Sequence, residues 1–181
     1  MPNTSEMLKK DLMERLKRLD EDTELMYDTS DRFVCVIVGG GALILMDCIT
    51  RATRDIDVIQ HSPQLNELLS KYDFNCMVQA YICNFPYNFE DRFEKINIET
   101  KKIDFYTASL EDIVIAKLYS SRVTDARDII HPSVLSNIDW KKLERLADEA
   151  KLSALNDYNY NDFRLRYKDY IERFDHEKTD I

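Results

Sequence analysis

Glycine is nearly absent from this chain. Of 181 residues only three are glycine, and they are consecutive: Gly39, Gly40 and Gly41. Glycine is the usual residue for tight turns, helix ends and positive φ. A chain that makes every other turn without it has a local requirement at 39–41, either left-handed backbone or close approach of the backbone to another group. The four cysteines, Cys35, Cys48, Cys76 and Cys83, form no C-x-x-C pair, and His61, His131 and His176 are scattered. That spacing argues against a zinc site, and Cys35 in an apolar strand and Cys48 near a helix end read as reduced, buried thiols. No apolar run approaches the ~20 residues of a membrane span, and the first residues are polar and charged, so a soluble cytoplasmic protein is expected. Positive charge is scarce too: 25 Lys and Arg face 34 Asp and Glu, a net charge of −9. This argues against a protein that coats DNA through bulk charge. It leaves room for a nucleotide or RNA substrate at a local basic patch with bound Mg²⁺. No G-x-G-x-x-G and no Gly-Lys-Ser/Thr accompanies the glycines, which disfavours dinucleotide and P-loop folds. There is no internal repeat and no low-complexity segment.

What is present centres on residues 33–59. Hydrophobic residues make up 44% and charged residues 33%, enough for a packed core under a solvated surface. The apolar run Phe33-Val34-Cys35-Val36-Ile37-Val38 predicts a buried strand. The glycines form a turn, Ala42 to Cys48 a short helix, and Ile56 to Ile59 a second strand. Asp55 and Asp57 are two apart, so on an extended backbone both carboxylates leave on one face. Like charges that close call for a cation between them. Mg²⁺ takes carboxylate oxygens while leaving positions for substrate phosphates, and paired ions can clamp a displacement at phosphorus. The glycine turn just before a helix offers backbone N–H groups to a phosphate.

This pattern resembles the nucleotidyltransferase superfamily of polymerase-β type, in which Gly-Gly or Gly-Ser precedes Asp-x-Asp after a short helix. Either Gly40-Gly41, thirteen residues before Asp55-Ile56-Asp57, or Gly39-Gly40 supplies the pair. Within that superfamily the chain resembles stand-alone bacterial nucleotidyltransferases, including toxins of abortive-infection and toxin–antitoxin systems. Gly39-Gly40-Gly41-Ala42-Leu43 and Arg51-Ala52-Thr53-Arg54-Asp55-Ile56-Asp57 match two of their motifs. Glu111-Asp112-Ile113-Val114-Ile115-Ala116-Lys117-Leu118 and Arg122-Val123-Thr124-Asp125-Ala126-Arg127-Asp128-Ile129 look like their later lysine helix and Arg/Asp-rich helix. The resemblance implies Mg²⁺ or Mn²⁺ on Asp55, Asp57 and a third carboxylate, for which Asp104 is the candidate as metal ligand or base. It implies phosphate contacts from Gly39, Gly40, Gly41, Thr53, Arg54 and Lys117, with Arg122, Asp125 and Asp128 in support. The substrates it implies are an NTP and a hydroxyl acceptor, a tRNA end or a protein side chain, with a cognate antitoxin as possible regulator.

The rest of the chain reads as follows. A helix begins near Thr4-Ser5, with Leu8, Leu12, Leu16 and Leu19 on one face and a break near Asp20–Asp22. Ser62-Pro63 opens a helix. Strands are expected within 74–83, over 93–98 and over 102–106, with Asp104 between Ile103 and Phe105. The acid in that apolar strand needs a partner. Ser109 caps a helix, Thr124 another and Asp139 a third. Residues 156–161 read as a polar linker. Phe163, Tyr167, Tyr170, Ile171 and Phe174 then line one face of a last helix, a stripe that reads as packing rather than as an RNA clamp. The expected architecture is α/β (α+β): a helical segment at 1–30, a small mixed sheet with helices on one side over 31–130, and a helical appendage at 131–181. The alternatives are a binding module of this fold without catalysis, discriminated by the position of Asp104, and a metal-dependent phosphohydrolase, disfavoured by the scarcity of histidine.

Overall fold

The computed structural model describes residues 8–175. The helix start expected at Thr4-Ser5, followed by Glu6 and Met7, lies outside them, as does His176. Within the described chain there are two units, one of residues 8–79 and 93–108, the other of residues 80–92 and 109–175. The boundary drawn from sequence at residue 130 falls inside the second unit.

The first unit holds α1 (Lys9–Met26), β1 (Phe33–Val38), α2 (Gly39–Leu45), β2 (Ile56–His61), α3 (Asn66–Lys71), β3 (Phe74–Asn75), β4 (Glu94–Lys95) and β5 (Ile103–Thr107). The five strands make one mixed sheet in the order β3-β2-β1-β5-β4. The apolar run of β1 takes the central place, where both faces of a strand are covered. It pairs antiparallel with β2 and parallel with β5. The register with β2 shifts by one between Val36 and Ile37, a bulge that re-aims the end of β2 carrying Asp57. Two expected strands are shorter than the pattern implied. After Asn75 the chain winds into a 3₁₀ helix over Met77–Asn84, and of 93–98 only Glu94–Lys95 forms strand, with one further bond from the Ile96 N–H to the Phe105 carbonyl. The first helix runs unbroken through Asp20–Asp22.

That continuity has a cause. Leu12, Leu16 and Leu19 are fully buried on the packed stripe of α1, and Asp20 is buried beside them. Its carboxylate accepts the backbone N–H groups of Lys101 (2.8 Å), Lys102 (2.8 Å) and Ile103 (2.7 Å). A buried charge is tolerable when its lone pairs are met by donors. Here the donors are the amides leading into β5, so α1 is tied to the strand beside β1. An acid that reads as a helix interruption is instead the anchor of the helix.

The scarcity of glycine is met elsewhere by Asp and Asn, which tolerate left-handed backbone best among the other residues. Asp47, Asp73 and Asn88 have φ of 61°, 58° and 54°. Asp47 follows α2 and Asp73 follows α3, where a glycine would ordinarily end the helix.

The second unit is helical: α4 (Leu110–Leu118), α5 (Val123–Ile129), α6 (Pro132–Asn137), α7 (Trp140–Glu149) and α8 (Asp157–Phe174). The Ser109 and Asp139 side chains accept the N–H groups of Asp112 and Lys142, as the sequence implied. The cap before α5 is Arg122 rather than Thr124, and His131 opens a helix that the sequence did not announce. Residues 157–161 are not a linker: Asn156 caps α8 directly, accepting the N–H of Asn159. The aromatic stripe of α8 packs inward. Phe163, Tyr167 and Tyr170 are buried, Tyr119 stacks on Phe163 at 4.4 Å, and the Tyr170 hydroxyl donates to the Ile129 carbonyl. No helix among the described residues is long and apolar enough to cross a membrane.

Replacing Asp20 with Ala removes the acceptor of three backbone N–H groups, that of Ile103 buried and those of Lys101 and Lys102 part-buried. The expected loss of stability is about 3 kcal/mol, more than the ~1 kcal/mol of one ordinary hydrogen bond, measured by urea denaturation. Asp73→Gly removes left-handed strain at an exposed site and is expected to add about 0.5–1 kcal/mol in the same measurement.

Candidate active site

The glycine triplet joins the end of β1 to the start of α2. Gly39 has φ of +67°, the region that disfavours a Cβ. A Cβ on Gly39 would also stand 2.7 Å from Asp57 Oδ2 and displace that carboxylate. Gly40 faces Arg51, where a Cβ would come within 2.7 Å of Nη2. Gly41 differs, for a Cβ there would meet only Ile37 Cγ2 at 3.7 Å and backbone of Asp55 and Ile56 at 3.9 Å. Gly39 and Gly40 are half-exposed and Gly41 is buried. The accessible glycine pair is thus Gly39-Gly40, pressed against a carboxylate on one side and a guanidinium on the other.

Asp57 is the second residue of β2 and pairs with Val38, the last residue of β1. That register is what lays its carboxylate over Gly39. Its Oδ1 accepts from the side-chain amide of Asn75 at 2.8 Å. Asp55 sits just before β2 and is exposed, and the Thr53 hydroxyl donates to its carbonyl at 3.1 Å. Arg54 is exposed. Arg51 is the cation held at the glycines, and its Nη1 also donates to the Ala52 carbonyl at 3.1 Å.

Asp104 is not brought to this group. It pairs with Val34 of β1, whereas Asp57 pairs with Val38. Four residues of strand separate the two positions, about 13 Å at 3.3 Å per residue. Asp104 serves another purpose. Arg32 grips it with two bonds, Nε to Oδ2 at 3.0 Å and Nη2 to Oδ1 at 2.9 Å, and Lys95 lies 2.7 Å from Oδ1. The same guanidinium donates to the Lys101 carbonyl at 2.7 Å. The hydrogen bonds from Arg32 lead in holding the Asp104 carboxyl below its ordinary pKa, against a partial desolvation that opposes them. The expected three-carboxylate cluster does not form, and among the described residues no group of three or more His, Cys, Asp or Glu side chains is arranged to hold a metal ion. Asp55 and Asp57 supply two hard oxygen donors. Such a pair fits Mg²⁺ or Mn²⁺ that arrives with substrate phosphates completing its shell.

In the second unit, Lys117 projects from α4 and is buried. Its ammonium lies 2.5 Å from Asp125 and 2.8 Å from Asp128 of α5, both buried, while Arg122 Nε reaches Asp125 at 2.6 Å. The four residues singled out by sequence are therefore joined in one chain of ion pairs. Burial alone would raise the Asp125 pKa, but the charge and hydrogen bond of Lys117, helped by Ser120 and Arg122, outweigh it and hold the carboxyl below its ordinary range. Asp112, fully buried on α4, is likewise gripped by Arg92 and by the Ser109 hydroxyl.

Two contributors escaped the reading of the sequence. Arg51 stood inside the matched motif, but Arg54 drew the phosphate assignment. Asn75 lies in a two-residue strand behind a turn without glycine, so no periodicity marked it.

A protein-family model described as "Nucleotidyltransferase of unknown function (DUF6036)" matches residues 14–175. No curated protein and no solved structure matches the chain.

The glycines separate by their surroundings. Gly39→Ala is expected to destabilise by about 2 kcal/mol or more, from left-handed strain and the contact with Asp57. Gly41→Ala, inside α2 with room for a methyl, is expected to be neutral or to stabilise by up to ~1 kcal/mol. Thermal unfolding of both variants checks this. At neutral pH, Asp125→Asn is expected to cost about 3 kcal/mol by stranding part of the Lys117 charge. The contribution of Asp125 is complete above the ordinary carboxylate pKa of ~4 and is lost as pH falls through the lower folded value. The gap between variant and wild type, followed by denaturation at a series of pH values, therefore narrows below about pH 4.

Proposed function

Starting from a chain that belongs to the DUF6036 family of nucleotidyltransferases of unknown function, we propose that it transfers a nucleoside monophosphate from an NTP to a hydroxyl acceptor, with Mg²⁺ or Mn²⁺ held by Asp55 and Asp57. The single observation that carries this reading is the packing of Gly39 against Asp57, where a methyl group would stand 2.7 Å from a carboxylate oxygen. This supports a reading in which a turn able to receive phosphates lies against one of the two acids proposed to hold their counter-ion. Gly39 and Gly40 present backbone N–H groups to the phosphates, and Arg51 beside Gly40 offsets their charge. The metal, when bound, neutralises charge on the phosphates and polarises the α-phosphorus. The acceptor oxygen attacks that phosphorus, the bond to the β-phosphate oxygen breaks, and pyrophosphate leaves with the electron pair. The hydroxyl proton passes to solvent, since Asp104 is engaged by Arg32. By resemblance, the acceptor is a tRNA end or a protein side chain, and a neighbouring antitoxin is the regulator.

One observation favours a second reading. With Asp104 committed to Arg32 and Lys95, the proposed metal-binding set keeps two carboxylates among the described residues, as in a domain that binds a nucleotide without turning it over.

Incubation with each α-³²P NTP, Mg²⁺ and either total RNA or cell extract separates the two. Transfer of label that disappears in Asp55→Ala/Asp57→Ala is the expected result, with a loss of at least about a hundredfold. Label that persists in the double variant would remove the proposed site, and absence of transfer with NTP still bound would favour the binding domain.

A further inference from the structure

We propose that Asn75 is a positioning residue for Asp57, setting which way its carboxylate faces; the proposal rests on the metal–nucleotide reading above. Parallel pairing of β3 with β2 puts Asn75 opposite Asp57, so the two side chains leave on one face. The Asn75 Nδ2 donates to Asp57 Oδ1 at 2.8 Å. Its Oδ1 accepts the N–H of Met77 at 3.1 Å, where the chain leaves β3 for the 3₁₀ helix. An asparagine amide has one donor end and one acceptor end. With Met77 holding the acceptor end, the donor end is turned to Asp57 and no flip serves both partners. Asn75 fixes Oδ1, and the carboxylate plane then carries Oδ2 over Gly39, within 2.7 Å of where a Cβ would be. One side chain thereby orients a carboxylate toward the glycine turn and braces it through backbone. Second partners of this kind govern how well a carboxylate serves a metal. A purely structural residue at this position needs only the bond to Met77.

The two roles can be pulled apart. Serine keeps an oxygen in reach of the Met77 N–H, as Ser does in turns, but is too short to reach Asp57. Leucine keeps neither bond. The probe is the Mn²⁺ complex of inorganic tripolyphosphate, common to every NTP, followed by water-proton relaxation, with wild type, Asp57→Asn, Asn75→Ser and Asn75→Leu compared and their unfolding temperatures recorded. The expected result is that Asn75→Ser unfolds near the wild-type temperature but binds the complex about ten- to a hundredfold more weakly. Its relaxation per bound Mn²⁺ rises, because water takes the coordination position that a misdirected Asp57 gives up. Asn75→Leu weakens binding at least as much. Wild-type affinity and relaxation in Asn75→Ser, with binding still lost in Asp57→Asn, would overturn the role of Asn75 alone. No binding by wild type, or binding unaffected in Asp57→Asn, would overturn the metal–nucleotide reading and the inference with it.

Discussion

One contact organises the candidate site: Gly39 lying under the Asp57 carboxylate. It uses left-handed backbone, a residue whose lack of a Cβ leaves the carboxylate where it stands, and a β1–β2 register that sets Val38 against Asp57. Each of these comes from a different part of the chain. The apolar run of β1 places the strand at the centre of the sheet. The bulge beyond Val36 re-aims the end of β2, and the turn behind β3 brings Asn75 to the outer side of the same acid. A glycine turn and the Asp57 carboxylate become neighbours because backbone can approach a side chain more closely than another side chain can.

Within each unit the protein handles buried charge by pairing. Asp20 is met by three backbone amides, Asp112 by Arg92 and Ser109, and Lys117 by Asp125 and Asp128. Glu111 is closed by Lys142 at 2.6 Å and by the N–H of Asp139 at 3.0 Å. Removing one partner of such a set strands the other without solvent, so these groups hold their surroundings to one arrangement more than they add net stability. The contrast between Asp57 and Asp104 follows. Both carboxylates stand in strands beside β1, but one is set against a glycine turn and the other is locked by a two-bond arginine grip.

Much of the site was legible because its signals were local. Three adjacent glycines in a chain with no others, and two acids two residues apart beside Ile56 and Val58, announce themselves without any tertiary knowledge. Ser109 and Asp139 were legible as caps for the same reason. The lysine and acid motifs at Lys117, Asp125 and Asp128 were legible as a set, though not as a closed ion cluster. What could not be read depends on register. An aspartate between Ile103 and Phe105 needs a partner, but whether that partner is a metal or Arg32 is decided by which residue of β1 it faces. Nor can a run such as 74–83 declare that only its first two residues pair. Asp20 misled in the other direction: an acid within a leucine stripe looks like a fault until the amides of residues 101–103 are brought to it by the fold.

The bond between Asp20 and the N–H of Ile103 spans 83 residues. During synthesis at about 5–20 residues per second, the acid exists for roughly 4–17 s before its amides do. In that interval α1 carries an unmatched carboxylate beside its leucines, and β1 lacks the parallel neighbour that later covers its flank. The nascent chain thus passes through a stage in which the strand that will become the middle of the sheet is an edge, open to pairing with other newly made chains.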